Sequence, residues 1–371
     1  MINKRGYTDN EIRAALRMSS DSRKIGFRYD LLNRHDISIG ELDAITRARV
    51  SYGEFRAIKR SAVFLLNEYN QKHIDYMSNS IQPWFILHMP GGGTVEWPLG
   101  IFHLQSPDKD VGRIATTRDI GAYDKLIFVE RDKFTSRFLV AKGETYVGAV
   151  SRILHTSNIV KMDIPDNGVQ VTSDREFPIG TKKHLACNEL LRAINYNTLW
   201  VDTDGFMRSE PYVEPSRRDI THIYSTTEDK IVKPEFTERL DIAERHNIFV
   251  RVALNLDSPR ELVSVFENSD PLSPISTANT MRSVDYGEIQ DISSQEALDE
   301  FVRRLAIEST TAFTHLKFKT VLMPTHGGGD ILSCDFPELW DAPRRFTETS
   351  WEMPLTYDGE MTHEGRMVVR I

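Results

Sequence analysis

Ile25-Gly26-Phe27-Arg28-Tyr29-Asp30-Leu31 decides the fold class. Its apolar residues alternate with Gly26, Arg28 and Asp30, the period-two pattern of a strand with one buried face. Further strands are expected at residues 55–66, 84–89, 95–104 and 125–130, separated by turn signals such as Pro90-Gly91-Gly92-Gly93. Near the other end, residues 247–254 alternate again, and residues 316–323 and 364–371 read as closing strands. Many strands with few helices predict a barrel or a sandwich at each end of the chain.

Helical periodicity marks the rest. Thr8 followed by Glu11 has capping-box spacing, and Ile12, Ala15 and Leu16 then share a face. Residues 19–24 are polar and read as a linker. In the middle, residues 144–155 carry Val147, Val150, Ile153 and Leu154 in helical register. Residues 183–195 repeat the pattern with Cys187, Leu190, Leu191 and Ile194. Leu199-Trp200-Val201 and Phe206-Met207-Arg208 flank Asp202-Thr203-Asp204-Gly205, a tight-turn sequence, so a hairpin follows. Residues 256–290, rich in Ser, Asp, Pro and Asn, form an excursion. Ser293 and Glu296 make a second capping box before Leu298, Phe301, Val302 and Leu305. The expected plan is mainly β with α+β portions: strands, a mixed domain, then strands around one helix.

Composition limits function. The chain has 371 residues, enough for a few small domains, and 40% of them are hydrophobic. No apolar run approaches the roughly 20 residues of a membrane helix, so no membrane-spanning segment is expected. The polar stretch from Met1 to Asn10 lacks the apolar core of a signal peptide, so synthesis and residence in a cytoplasm are expected unless an assembly carries the chain out. The formal charge is -8, which argues against general nucleic-acid binding. Cys187 and Cys334 are far apart, which fits reduced thiols and excludes a disulfide scaffold.

No chemical motif survives scrutiny. His326-Gly327-Gly328-Gly329 is similar to a lipase oxyanion loop, but the Gly-x-Ser-x-Gly elbow it needs is missing, so a glycine-rich turn is expected. Asp202 and Asp204 lack the further ligands of a calcium loop. The 11 histidines are scattered without zinc-ligand spacing. Trp84, Trp97, Trp200, Trp340 and Trp351 are read as core or interface anchors rather than a carbohydrate platform. Arg56, Lys59 and Arg60 are read as a solvated strand face or a salt bridge across a subunit interface rather than a phosphate site. No catalytic, cofactor-binding or metal-binding residue is assigned, and no cofactor is expected.

Several stretches carry a resemblance: Ile58-Lys59-Arg60-Ser61-Ala62-Val63-Phe64 with Ile74-Asp75-Tyr76-Met77-Ser78 and Ile81-Gln82-Pro83; Trp97-Pro98-Leu99-Gly100-Ile101-Phe102 with Ala122-Tyr123-Asp124; Gly143-Glu144-Thr145-Tyr146-Val147; Ala193-Ile194-Asn195-Tyr196 with Asp202 to Gly205 and Glu210-Pro211-Tyr212; and Asn247-Ile248-Phe249-Val250. In order and spacing they resemble the baseplate hub proteins of phage tail tips, also called tail-associated or minor tail proteins. The resemblance covers most of the chain. It implies two tail-tube-like β-barrel domains, a middle α+β domain and an insertion in the second barrel. The corresponding divisions are 1–22 for an N-terminal helix and arm, 23–138 for the first barrel domain, 139–240 for the middle domain and 241–371 for the second barrel with an insertion at about 256–290.

The resemblance further implies a non-enzymatic structural protein of the virion, assembled in the host cytoplasm. Its expected form is a homotrimer with pseudo-sixfold symmetry that closes the tail tube. Expected partners are tail tube or distal tail ring proteins, and tip, fibre or tape-measure proteins. DNA meets the chain only in transit through the lumen during ejection. The sequence reaches Met367-Val-Val-Arg-Ile371, read as a last barrel strand, so any hydrolase or receptor-binding stalk is expected on another polypeptide. The alternatives are a distal tail adaptor ring, a cell-wall hydrolase of the tail tip and a carbohydrate-binding module.

Overall fold

The computed structural model describes residues 6–19, 22–68, 74–113, 116–227, 231–240, 246–253, 261–289, 292–311 and 314–368. Residues 256–260 and 290 of the expected excursion, and residues 369–371 of the expected last strand, lie outside this set.

Helix α1 (Asp9–Leu16) begins with the expected capping box. Thr8 N donates to Glu11 Oε2 at 2.8 Å, Glu11 N donates to Thr8 Oγ1 at 3.4 Å, and Ile12, Ala15 and Leu16 are buried. Eight strands follow: β1 (Lys24–Leu32), β2 (Ser38–Glu41), β3 (Ile45–Gly53), β4 (Arg60–Asn67), β5 (Ser80–His88), β6 (Thr94–Pro98), β7 (Phe102–Val111) and β8 (Thr116–Tyr123). Residues 95–104, expected as one strand, are split into β6 and β7. The break falls at Gly100, whose φ of +130° side chains other than hydrogen rarely adopt.

A second difference lies at residues 125–130, which form helix α2 (Leu126–Arg131) rather than a strand. The cause is the buried Asp124. Its Oδ1 accepts from Leu126 N at 2.9 Å, which turns the chain into the helix, while Oδ2 accepts from Arg60 N at 3.0 Å. A tertiary contact overrides the β-rich composition of Leu126-Ile127-Phe128-Val129.

The middle of the chain is α+β. It contains β9 (Phe138–Val140), α3 (Tyr146–Thr156), β10 (Met162–Asp163), β11 (Arg175–Phe177), α4 (Lys183–Ala193), β12 (Trp200–Val201) and β13 (Met207–Arg208). Helices α3 and α4 bury the faces expected of them, including Val150, Ile153, Leu190 and Leu191. Asp202 Oδ1 accepts from Asp204 N at 3.0 Å and Phe206 N at 2.9 Å, which closes the β12–β13 hairpin. That carboxylate also holds Arg208 Nε at 2.6 Å, so it serves a turn and an ion pair.

The last third holds β14 (His222–Ser225), β15 (Val232–Leu240), β16 (Ile248–Ala253), β17 (Leu262–Glu267), β18 (Val284–Ile289), α5 (Gln295–Thr311), β19 (Thr314–Val321), β20 (Ile331–Asp335), β21 (Arg344–Pro354) and β22 (Glu360–Met367). The excursion carries structure of its own: β16 pairs with β17 and β18, and α5 packs on that small sheet through Leu298, Val302 and Ala306. Ser294, not Ser293, caps α5: its Oγ accepts from Ala297 N at 3.2 Å. Ser293 Oγ donates instead to Ala193 O at 3.0 Å.

The other strands of both ends join in one sheet, in the order β15-β19-β22-β21-β3-β4-β8-β7-β5-β1-β2, with β20 on β21, β14 on β20 and β6 on β5. Among the described residues the path runs between its ends without closing. The seam is the antiparallel pair β21–β3, Ser350 opposite Gly53 through Pro354 opposite Arg49. Trp351 stacks on Tyr52 across it, with ring centroids 6.1 Å apart. The buried Arg60 guanidinium lies 5.5 Å from the Trp351 ring and donates to Leu99 O at 3.1 Å. Lys59 pairs with Glu54 at 2.5 Å, and Arg56 is exposed in the β3–β4 turn. Trp97, Trp340 and Trp351 are buried.

Candidate functional site

The polar residues that the structure gathers were scattered in sequence. Glu348 lies on β21 at an inward position of the run Phe346-x-Glu348, and His363 lies inward on β22 in Met361-x-His363. His326 sits in the connection between β19 and β20. Tyr224 and His222 share one face of β14 by strand alternation.

All three groups at the centre are sealed from solvent: the side chains of Glu348, His326 and His363 are 0% exposed. Glu348 Oε2 is 2.6 Å from His326 Nδ1, and Oε1 is 2.6 Å from His363 Nδ1. Beyond them, His326 Nε2 is 2.6 Å from Tyr224 Oη, and His363 Nε2 is 2.8 Å from Thr320 Oγ1. One set of proton positions satisfies every contact. Thr320 Oγ1 donates to Val321 O at 2.7 Å, so it accepts from His363 Nε2, and His363 Nδ1 accepts from a protonated Glu348 Oε1. Glu348 Oε2 accepts from His326 Nδ1, and His326 Nε2 accepts from Tyr224 Oη. Burial supports neutral rings. It pushes His363 down to about 4 and His326 well below its ordinary value, and it pushes the Glu348 carboxyl up.

His222 stacks on His326 with centroids 3.9 Å apart and planes 11° apart. Its Nε2 is 3.4 Å from Asp330 Oδ2, which also accepts from Gly327 N at 2.7 Å. The glycine-rich loop has a packing role. A Cβ on Gly328 would stand 2.3 Å from Tyr52 Oη, and Trp351 Nε1 donates to Gly327 O at 2.9 Å. So the loop whose likeness to an oxyanion loop was set aside is a turn pressed against the sheet seam.

Two triplets place donor atoms within 4.8 Å of one another: His222, His326 and Asp330, and His326, Glu348 and His363. Neither arrangement needs an ion. Parallel stacked rings send their nitrogen lone pairs along parallel planes, so His222 and His326 do not converge on one point. In the second triplet every nitrogen and both carboxyl oxygens already have hydrogen-bond partners. The network is a closed polar core, complete in its own hydrogen bonds. Sequence spacing could not reveal it, but a polar residue at the inward register of two adjacent strands was a usable signal.

A different polar place is open. A groove of about 710 Å³ runs between the first group of strands and the middle α+β part, and its walls include Asp36, Met77, His103, Phe128, Val160 and Lys161.

No protein-family model and no curated protein sequence matches the chain. Solved structures do. A tail protein from Neisseria meningitidis MC58 superposes with a TM-score of 0.68 at 12% identity, covering 93% of this chain and 97% of that one. The 43 kDa tail protein of prophage MuSo2 from Shewanella oneidensis gives 0.63 at 9% identity, covering 92% and 98%. Prophage tail protein gp18 from Listeria monocytogenes EGD-e gives 0.54 at 12% identity, covering 91% and 94%. The likeness extends over nearly the full length of each partner, so this chain shares the fold of these tail proteins, as its sequence resemblance implies.

Proposed function

We propose that the chain is a structural hub of a phage tail tip, a homotrimeric ring with pseudo-sixfold symmetry that closes the tail tube. The observation that carries this reading is the end-to-end match in fold to tail proteins of similar length. In this reading the two tube-like halves are β1–β8 and the set β14, β15 and β19–β22, joined through the β21–β3 seam, and residues 248–311 are inserted in the second. The middle α+β part lies between them in sequence.

Surface character supports an assembly role. The face of the β16–β18 sheet turned away from α5 exposes Val263, Val265, Val284 and Tyr286. An apolar patch of this kind belongs to proteins that bury it against a neighbour. Strands β2 and β15 leave edges for pairing between subunits. Neighbours would be tail tube or distal ring proteins on one side and tip, fibre or tape-measure proteins on the other, with DNA passing through the lumen. In this reading the role is non-enzymatic: the dense cluster of acids and bases found among the described residues is sealed, so a cell-wall hydrolase is not favoured.

Cryo-electron microscopy of tails carrying a tagged copy of this chain tests the reading. Density for the tag at the distal end of the tube, in a threefold ring, is expected. A tag elsewhere on the tail, or clearing in a cell-wall zymogram by the purified chain, contradicts it.

A further inference from the structure

The strands of the small sheet are apolar on both faces: Ile248-Phe249-Val250-Arg251-Val252-Ala253 in β16 and Leu262-Val263-Ser264-Val265-Phe266 in β17. Strands of this kind belong to sheets covered on both sides. Among the described residues only one side is covered. Phe249, Ala253, Leu262 and Phe266 pack on α5. That helix is pinned in turn to the middle part. Arg304 donates to Tyr196 O at 3.1 Å, and Asn195 Nδ2 donates to Glu300 Oε2 at 3.2 Å. The side turned away from α5 carries Val250 and Val252 at its centre, half-buried. Val263, Val265, Val284 and Tyr286 flank them at 48–62% exposure.

Charge on this open face is lopsided. At one end Glu267, opposite Ile248, is held by Arg282 at 3.0 Å. At the other end Glu288 lies opposite Val252, and Glu261 stands one outward position beyond Val263. Neither has a cation partner among the described residues; Glu288 accepts from the Tyr286 hydroxyl at 3.0 Å. That hydrogen bond foremost, and the charges of Glu288 and Glu261, push the Tyr286 hydroxyl up, so both acids act at the same end. An occupant is therefore apolar along its middle and cationic at one end. An acidic segment or an anionic lipid surface would meet Glu261 and Glu288 with like charge. A second copy laid face to face makes an isologous contact, which closes a pair rather than a threefold ring. An added strand would seat at a sheet edge through its main chain, whereas a sheet face takes a helix, as the opposite face takes α5. The six residues of β16 span about 20 Å, the length of about 13 helical residues.

We infer that this face docks an amphipathic helix of a partner protein, with its apolar stripe over Val250, Val252 and Val265 and with Lys or Arg at the end that meets Glu261 and Glu288. That the partner is another tail component rests on the assembly role proposed above. The docking chemistry is built within one chain, so it is tested apart from ring formation.

The test uses the purified full chain and a fluorescent, end-blocked peptide of about 13 residues. The peptide carries leucines at the spacing of one helix face on an alanine and glutamine background, and lysines in its last turn. A counterpart with glutamates in place of the lysines, and vesicles of neutral phosphatidylcholine, serve as controls. Saturable binding of the lysine peptide, read by anisotropy and about tenfold tighter than that of the glutamate peptide, is expected, with no vesicle binding. Val265→Asp changes a side chain that is 62% exposed and leaves the core intact. It adds a negative charge, so attraction of charge alone would tighten the lysine peptide. Loss of the apolar contact should instead weaken it about tenfold. Glu261→Lys combined with Glu288→Lys should reverse the preference between the two peptides. Equal binding of the two peptides by wild type, or unweakened binding of the lysine peptide by Val265→Asp, would reduce the effect to general attraction and overturn the assignment. So would the absence of saturable binding by folded wild type. Vesicle binding would make the face a membrane surface, and self-association of wild type that Val265→Asp abolishes would make the occupant a second copy; either result overturns the assignment equally.

Discussion

Glu348→Ala and Glu348→Gln, compared side by side, test what the sealed network is. Glu348 accepts an N–H from His326 and gives its own proton to His363 Nδ1, each at 2.6 Å, in a site without solvent. Alanine leaves the His326 donor and the His363 acceptor unpaired. At roughly 1–3 kcal/mol for each buried group, the expected loss is about 3–5 kcal/mol, including the void. Glutamine should be far milder. Its carbonyl accepts from His326 Nδ1 and its NH2 donates to His363 Nδ1, the pattern of the neutral acid. The expected loss is about 1 kcal/mol. Urea unfolding followed by tryptophan fluorescence reads the difference, because Trp351 touches the same loop through Gly327 O. Equal losses for the two variants would show that the carboxylate charge itself is required, as it would be for a bound cation, and would refute the hydrogen-bond account.

Asp124→Ala removes both the turn into α2 and the acceptor for Arg60 N, so a loss of about 2–4 kcal/mol is expected. Asp124→Asn keeps one acceptor oxygen but turns its NH2 toward the other backbone N–H, a loss offset in part by shedding a carboxyl that burial raises to about 6, so it should cost about 1–2 kcal/mol at neutral pH, less than alanine, in the same unfolding assay. Gly328→Ala drives a methyl group into Tyr52 Oη and should cost about 1–3 kcal/mol by overpacking, read as a lowered midpoint of thermal unfolding. Acid should expose the buried histidines. With His103 at about 4 when folded and near 6.5 when unfolded, the unfolded chain takes up the proton first. Stability therefore falls as pH drops from about 6.5 to about 4. Wild type should lose up to ~3 kcal/mol more than His103→Gln across that window, measured by urea titrations at several pH values.

Local signals in the sequence held where local chemistry rules. The Thr8–Glu11 box, the α3 and α4 stripes and the Asp202 turn each depend on residues close in sequence, and the structure contains them. Residues 125–130 misled because their helix starts from a buried carboxylate whose second oxygen is committed to Arg60, a residue far back in the chain. The capping residue of α5 moved by one because Ser293 is drawn to Ala193 O, again a distant partner. The β21–β3 seam was unreadable for a related reason: edge strands carry no mark of which other edge they meet. His222, His326 and His363 have no metal-like spacing, since β14, the loop after β19 and β22 bring them together only in the folded sheet. Glu348 and His363 at inward strand positions were the trace available.

The count of subunits around the tail axis tests the central claim most directly. Quantitative mass spectrometry of purified tails, calibrated against the tube protein, should give half as many copies of this chain as there are tube subunits in one ring, as a pseudo-sixfold trimer requires. A count equal to that of a tube ring, or a single copy per tail, would contradict it.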